Sequence, residues 1–192
     1  MSAVPAFDVG VWNAWILMLY LPLHPLMFIV IDRLVGVGNI VKKLGNVPYD
    51  KTGEKVLTSS MILFLLAFIY SIFLPLKLGS IWLYAGIAIY ALGLVMFIIA
   101  MVNIVTTPHD QPFTKGLYRY SRHPMTFWGN LMHLGISIAT ASWIFILFSI
   151  VYAILWHILV ITEERGCLEK YGDAYQKYLQ STPRWIGIPK ST

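Results

Sequence analysis

The sequence has very little charge, and this scarcity excludes most soluble proteins. Only 12% of its 192 residues are Asp, Glu, Lys or Arg, whereas 58% are hydrophobic, and the mean hydropathy is +0.70. A single cysteine, Cys167, excludes an intramolecular disulfide framework. The net charge of +5 is spread over loops, which indicates contact with lipid headgroups rather than nucleic-acid binding. The composition therefore predicts one integral membrane domain.

Several familiar functional motifs are also missing. The sequence contains no GxGxxG, Walker, CxxC or HExxH pattern, and we therefore expect no metal centre. The first ten residues lack the basic segment of a secretory signal. The first apolar run is therefore expected to be a true membrane span.

Long apolar runs predict an all-α fold with about five membrane-spanning helices, followed by a short helical tail. Pro22 and Pro25 should kink the first span. In the third span, Gly86, Gly93 and Ala100 should form a stripe of small residues that allows close helix packing. The loop between the first two spans is expected to contain at most a short interfacial helix. The expected spans are about 12–31, 56–76, 81–105, 124–140 and 143–161.

The distribution of basic residues predicts the orientation of these spans. In a five-span arrangement 13 of the 14 Lys and Arg residues fall on one side, and only Lys77 falls on the other. The positive-inside rule then places the C-terminus in the cytoplasm and the N-terminus outside. One free cysteine and no targeting peptide are typical of a prokaryotic inner-membrane protein. We treat residues 1–192 as one domain, with a three-span scaffold over 1–105 and a functional core and tail over 106–192.

The last two expected spans should form an antiparallel hairpin, because a turn of only two residues separates them. Such a hairpin would return Arg122 and His123 to the same membrane face as Glu163 and Glu164. Pro124 suits the first turn of the helix that follows, and a helix N-terminus favours an anion. Arg122 and His123 alone would be interpreted as basic interfacial anchors. The convergence of the two pairs predicts a functional site.

Two helical faces near this site carry polar or aromatic side chains. Each face either joins helices through hydrogen bonds or lines a cavity. The three histidines within spans, His24, His133 and His157, are interpreted individually as structural residues. The two faces comprise Thr126, Asn130, His133 and Ser137 on the fourth span, and Ser149, Tyr152, Trp156 and Glu163 on the fifth.

The sequence after residue 106 resembles the membrane methyltransferases of the isoprenylcysteine carboxyl methyltransferase and phospholipid methyltransferase group. An RHPM motif and a glycine are followed by two spans, paired glutamates and a tyrosine-rich tail. The resemblance implies S-adenosylmethionine, bound at the cytosolic interface beneath the tail, and a lipophilic acceptor that enters from the bilayer. The matching residues are Arg122, His123, Pro124, Gly129, Glu163, Glu164, Leu168, Tyr171, Gly172, Tyr175, Tyr178, Pro183 and Arg184, with Gly116 and Tyr118 before them.

The same resemblance implies which residues line the cofactor site. Two departures from the family pattern stand out. Thr126 occupies a position that is commonly tyrosine. Leu159 occupies the position of an arginine that would hold the carboxylate of a prenylcysteine, which argues against that substrate. The implied cofactor residues are Tyr118, His123, Pro124, Met125, Thr126 and Glu163, together with the segment 110–113. The tail residues that could pack against the adenine or the sulfonium are Tyr171, Tyr175, Tyr178 or Trp185.

Methyl transfer needs mainly positioning and exclusion of water, since the donor is already activated. Arg122 and His123 at the helix N-terminus could bind the carboxylate of the cofactor. Glu163 or Glu164 could accept hydrogen bonds from its ammonium or ribose hydroxyls. A general base is needed only for an acceptor that starts protonated, and Glu164 and His157 are the candidates. Two other functions remain open at this point: an NADPH-dependent reductase related to sterol reductases, and a transporter or scaffold protein whose polar faces serve packing or permeation.

Overall fold

The computed structural model describes residues 9–36, 49–108 and 111–189. Helices account for 75% of these described residues, which confirms the expected all-α class. The expected interfacial helix and the N-terminal residues lie outside the described ranges, as do Lys42, Lys43, Asp110 and Lys190. The helices are α1 (Trp15–Met18), α2 (Tyr20–Val35), α3 (Lys51–Ile72), α4 (Ile81–Val105), α5 (Pro124–Thr140), α6 (Trp143–Tyr171) and α7 (Asp173–Ser181), with a 3-10 turn at Gly116–Arg119.

Four helical segments of the described chain are long and apolar enough to cross a membrane: Trp15–Val35, α3, α4 and α6. The expected fourth span, α5, has only 17 residues. It rises about 25 Å, slightly less than the hydrocarbon thickness of about 30 Å. Nine of its residues are buried, and its neighbours are α4 and α6. The helix that carries the RHP motif is therefore largely enclosed by other helices.

Helix α6 continues well beyond the expected end of the last span at residue 161. Its 29 residues extend about 43 Å, so roughly its last ten residues project past the hydrocarbon. Good helix formers follow residue 161, and the helix ends at Gly172, whose φ of 53° stops it. Glu163 and Glu164 consequently lie on a rigid helix rather than in a tail segment.

Other boundaries also differ from the expected ones. The first span is interrupted at Leu19, three residues before Pro22, which has no N–H to donate to Met18. Helix α3 begins at Lys51 because the Asp50 side chain accepts a hydrogen bond from Gly53 N at 2.7 Å. Gly172 is the N-cap of α7, and Asp173 lies in the first turn of that helix.

The stripe of small residues on α4 packs against α5, as expected. A Cβ on Gly86 would meet the backbone of Ala139, and Ala100 is fully buried. A Cβ on Gly93 would come within 2.7 Å of Met132 Cγ and 3.1 Å of Trp128 O. The backbones of α4 and α5 therefore approach each other too closely for larger side chains.

Replacing Gly86 by valine should separate α4 from α5 and destabilise the protein. Overpacking of this kind typically costs about 1–3 kcal/mol. The matched control is Ala88→Val on the exposed face of the same helix. Thermal unfolding in detergent should show a lower melting temperature for Gly86→Val only. Equal melting temperatures for the two variants would contradict the close contact.

Candidate functional site

The two ends of the α5–α6 hairpin meet, as the two-residue turn predicts. Arg122 Nε lies 2.8 Å from Glu164 Oε1, and His123 Nε2 lies 3.2 Å from the same oxygen. His123 Nδ1 lies 3.7 Å from Glu163 Oε2. The reversal is made by Ala141, which has a left-handed φ of 50°. Residues some 40 positions apart thus form one cluster at one end of the bundle.

Glu164 is the centre of this cluster, and its side chain is only 9% exposed. It accepts hydrogen bonds not only from Arg122 and His123 but also from Arg184, whose Nη2 lies 2.7 Å from Oε2. These bonds to Glu164 raise the pKa of Arg184. One carboxylate therefore joins α6, the start of α5 and the C-terminal tail.

The tail is attached to the same place by further hydrogen bonds. The guanidinium of Arg122 donates to the carbonyl oxygens of Leu179 and Thr182, and its backbone N–H donates to Pro183 O at 3.0 Å. Tyr178 donates its hydroxyl hydrogen to Tyr118 O at 2.6 Å. The tail is therefore held over the start of α5 by hydrogen bonds of residues 178–183.

Glu163 has a different environment, although it is the next residue. Its side chain is 28% exposed, and its distance of 3.7 Å to His123 is longer than a hydrogen bond. Tyr49, Tyr118 and Tyr175 lie close enough to interact with its charge. Burial and then the charge of Glu163 raise the pKa of Tyr49 and Tyr118 above the ordinary phenol value. The phenols stay protonated, and Glu163 keeps acceptor capacity for a ligand.

Tyr49 is a site residue that the sequence analysis missed. It precedes the N-cap of α3, and the close approach of α3 to α6 brings it near Glu163. A Cβ on Gly53 would lie 2.7 Å from Thr162 Oγ1 and 3.1 Å from Tyr49 Cβ. In the sequence, the glycine three residues after Asp50 was the feature that could have indicated the close approach of α3 to α6.

The contacts of the three residues predicted as catalytic favour structural roles. Glu164 is occupied by two guanidinium groups and an imidazole, so it is a poor proton acceptor. The donors of Arg122 are directed to Glu164 and to tail carbonyls. His157 is exposed on the outer face of α6, where it stacks on Trp185 with ring centroids 5.6 Å apart.

The remaining predicted cofactor residues divide into two groups. Pro124 is buried at the first position of α5, directly after His123. Tyr118 is buried and packs on Phe113 at 5.6 Å between centroids. Met125 and Thr126 instead line a cavity between the helices. The predicted set thus spans a polar cluster at the end of the bundle and the mouth of an apolar cavity below it.

The residues of the two polar faces near the site also fall into two groups, those that join helices and those that line the cavity. The Tyr20 hydroxyl and His133 Nδ1 share a hydrogen bond of 3.3 Å. The hydroxyl oxygens of Ser137 and Ser149 lie 2.9 Å apart. These residues join helices, as the structural interpretation predicts. Thr126 and Asn130 on α5, together with Tyr152 and Trp156 on α6, line the cavity, which has a volume of about 460 Å³.

Residues 105–174 match the phospholipid methyltransferase family. This segment runs from the end of α4 through α5 and α6 and contains both halves of the cluster. The match confirms the family resemblance over that range. Tyr175, Tyr178 and Arg184 lie beyond it. No curated protein matches the chain.

Proposed function

We propose, from the phospholipid methyltransferase segment at residues 105–174, that this chain is an integral membrane methyltransferase dependent on S-adenosylmethionine. Its acceptor is a lipid or small lipophilic molecule that reaches the site from the bilayer. The single observation that carries the proposal is the placement of Glu163 within that segment. It is a partly exposed carboxylate beside His123 and the N-terminus of α5.

The residues around Glu163 fit the groups that such a cofactor presents. The ammonium and the ribose hydroxyls of the cofactor need hydrogen-bond acceptors, and the carboxylate oxygens of Glu163 can accept from them. The carboxylate of the cofactor needs donors, and no side chain caps the N-terminus of α5. The ring of the half-buried Tyr49 offers aromatic surface and a hydroxyl donor for the adenosine or the cation, whereas Tyr118 and Tyr175 are buried. When bound, the cofactor supplies an activated methyl group on a sulfonium.

The protein contributes position and exclusion of water to this reaction. Glu164, Arg122 and Arg184 hold the start of α5, the end of α6 and the tail in one arrangement. Basic residues gather at this end, for example Lys51, Lys115 and Arg119. By the positive-inside rule we place the site on the cytoplasmic face.

Titration calorimetry with S-adenosylhomocysteine tests the proposal. The protein, reconstituted in lipid nanodiscs and shown by circular dichroism to be helical, should bind one molecule with micromolar affinity. NADPH, titrated in parallel, should not bind. An absence of heat up to millimolar S-adenosylhomocysteine would reject the methyltransferase, and binding of NADPH alone would favour a reductase.

A further inference from the structure

The cavity of about 460 Å³ lies among α2, α3, α5 and α6 and has the size of a small-ligand site. Met125 and Thr126, two and three residues after His123, line it on the side of the cofactor cluster. Pro25 of α2 and Met61 of α3 also line it and are exposed on the outer surface. Helix α2 packs on α4, whereas α3 packs on α6. Within the described residues the cavity therefore opens between α2 and α3, on the side expected to face lipid.

The lining of this cavity is apolar with a few neutral polar groups. Ser60, Thr126 and Asn130 contribute uncharged donors and acceptors, and none of the described lining residues is Asp, Glu, Lys or Arg. A carboxylate or phosphate placed here would lose its hydration without gaining a counter-charge, which is strongly unfavourable. The lining thus selects neutral lipophilic molecules.

His24 is the titratable lining residue whose hydrogen bonding leaves a nitrogen available to such a molecule. Its Nδ1 lies 2.9 Å from Leu21 O. A carbonyl oxygen can only accept, so Nδ1 carries the proton. The neutral ring then has an unprotonated Nε2, and the described residues offer it no hydrogen-bond partner. The backbone of α2 thereby sets the tautomer that accepts a proton from a ligand in the cavity.

We propose that the cavity takes a neutral lipophile bearing a thiol or phenol group, and that His24 accepts its proton during methyl transfer. This inference rests on the proposed function. The acceptor sulfur or oxygen bonds to the methyl carbon while the bond from that carbon to the sulfonium sulfur breaks. That bond's electron pair stays on the sulfonium sulfur, and the acceptor's proton moves to His24 Nε2. His24 returns the proton to solvent after the product leaves.

A series of probes with matched chains and different head groups tests the choice of acceptor. Native mass spectrometry of the detergent-released protein, with S-adenosylhomocysteine present, counts each bound molecule. We expect 1-decanethiol and 4-octylphenol to bind one per chain, at least about tenfold more tightly than decanoate or decylamine. The aromatic rings of the cavity could hold an ammonium by cation–π contact. Preferential binding of decylamine, or of decanoate, would therefore overturn the proposal.

Substitution of His24 tests its role as a catalytic residue. With S-adenosylmethionine, His24→Asn should lower methylation of 1-decanethiol at least about 100-fold. Binding of the thiol should change less than about twofold, because asparagine still accepts a hydrogen bond. The control is Glu169→Gln on the exposed face of α6, which should keep the wild-type rate. An unchanged methylation rate in His24→Asn would show that His24 does not accept the proton of the acceptor.

The same spectra separate this inference from the proposed function. If S-adenosylhomocysteine binds but neither neutral probe does, the cavity proposal fails and the methyltransferase stands. If S-adenosylhomocysteine does not bind, the methyltransferase fails. In that case the preference between 1-decanethiol and decanoate still decides the selectivity of the cavity.

Discussion

Glu164→Gln is expected to destabilise the protein more than any other single substitution in the cluster. The change leaves Arg122, with a side chain 10% exposed, and Arg184 without their common negative charge. Removing one partner of a buried ion pair costs about 3–5 kcal/mol, because the remaining charges stay desolvated. Thermal unfolding in detergent should show a large fall in melting temperature. Limited proteolysis should also cleave the tail after Tyr171 more rapidly.

The matched control for this substitution is Glu169→Gln, five residues later on the exposed face of α6. It makes the same chemical change without touching the cluster, and surface substitutions usually alter stability by less than about 0.5 kcal/mol. If Glu164→Gln and Glu169→Gln unfold at the same temperature, the cluster does not fix the tail.

The second large effect is expected at Glu163, and it concerns binding rather than stability. Glu163→Gln should weaken S-adenosylhomocysteine binding about 10- to 100-fold, because a hydrogen bond to a charged partner contributes about 1.5–3 kcal/mol. Its melting temperature without ligand should stay near that of the wild type, since Glu163 is 28% exposed and 3.7 Å from His123. Calorimetry in nanodiscs measures the first effect and differential scanning fluorimetry the second.

Glu169→Gln again serves as the control and should bind S-adenosylhomocysteine as the wild type does. Unchanged affinity in Glu163→Gln would show that the ligand does not use this carboxylate. A large loss of stability in Glu163→Gln would show instead that Glu163 belongs to the framework with Glu164.

The part of the site that depends on chain connectivity could be predicted from the sequence. A two-residue turn forces α5 and α6 to run antiparallel, so the meeting of His123 with the glutamate pair follows from helix lengths alone. The close packing of Gly86 and Gly93 follows in the same way from their helical spacing, whereas that spacing does not identify α5 as the partner helix. Such features depend on local geometry, which the sequence encodes directly.

The division of roles within the glutamate pair could not be predicted. Glu163 and Glu164 are identical in type and lie about 100° apart on α6. Their surroundings come from distant segments: Arg184 of the tail holds Glu164, whereas Tyr49 before α3 lies near Glu163. The sequence does not show which charges neutralise each other, so it does not distinguish Glu164, which Arg122 and Arg184 hold, from Glu163.

The central claim is that the paired ends of α5 and α6 bind one nucleoside cofactor. An experimental structure of the protein with S-adenosylhomocysteine in lipid nanodiscs tests this most directly. The account predicts density for one molecule in contact with Glu163, His123 and the first turn of α5. Density for the ligand at any other place on the protein would contradict it.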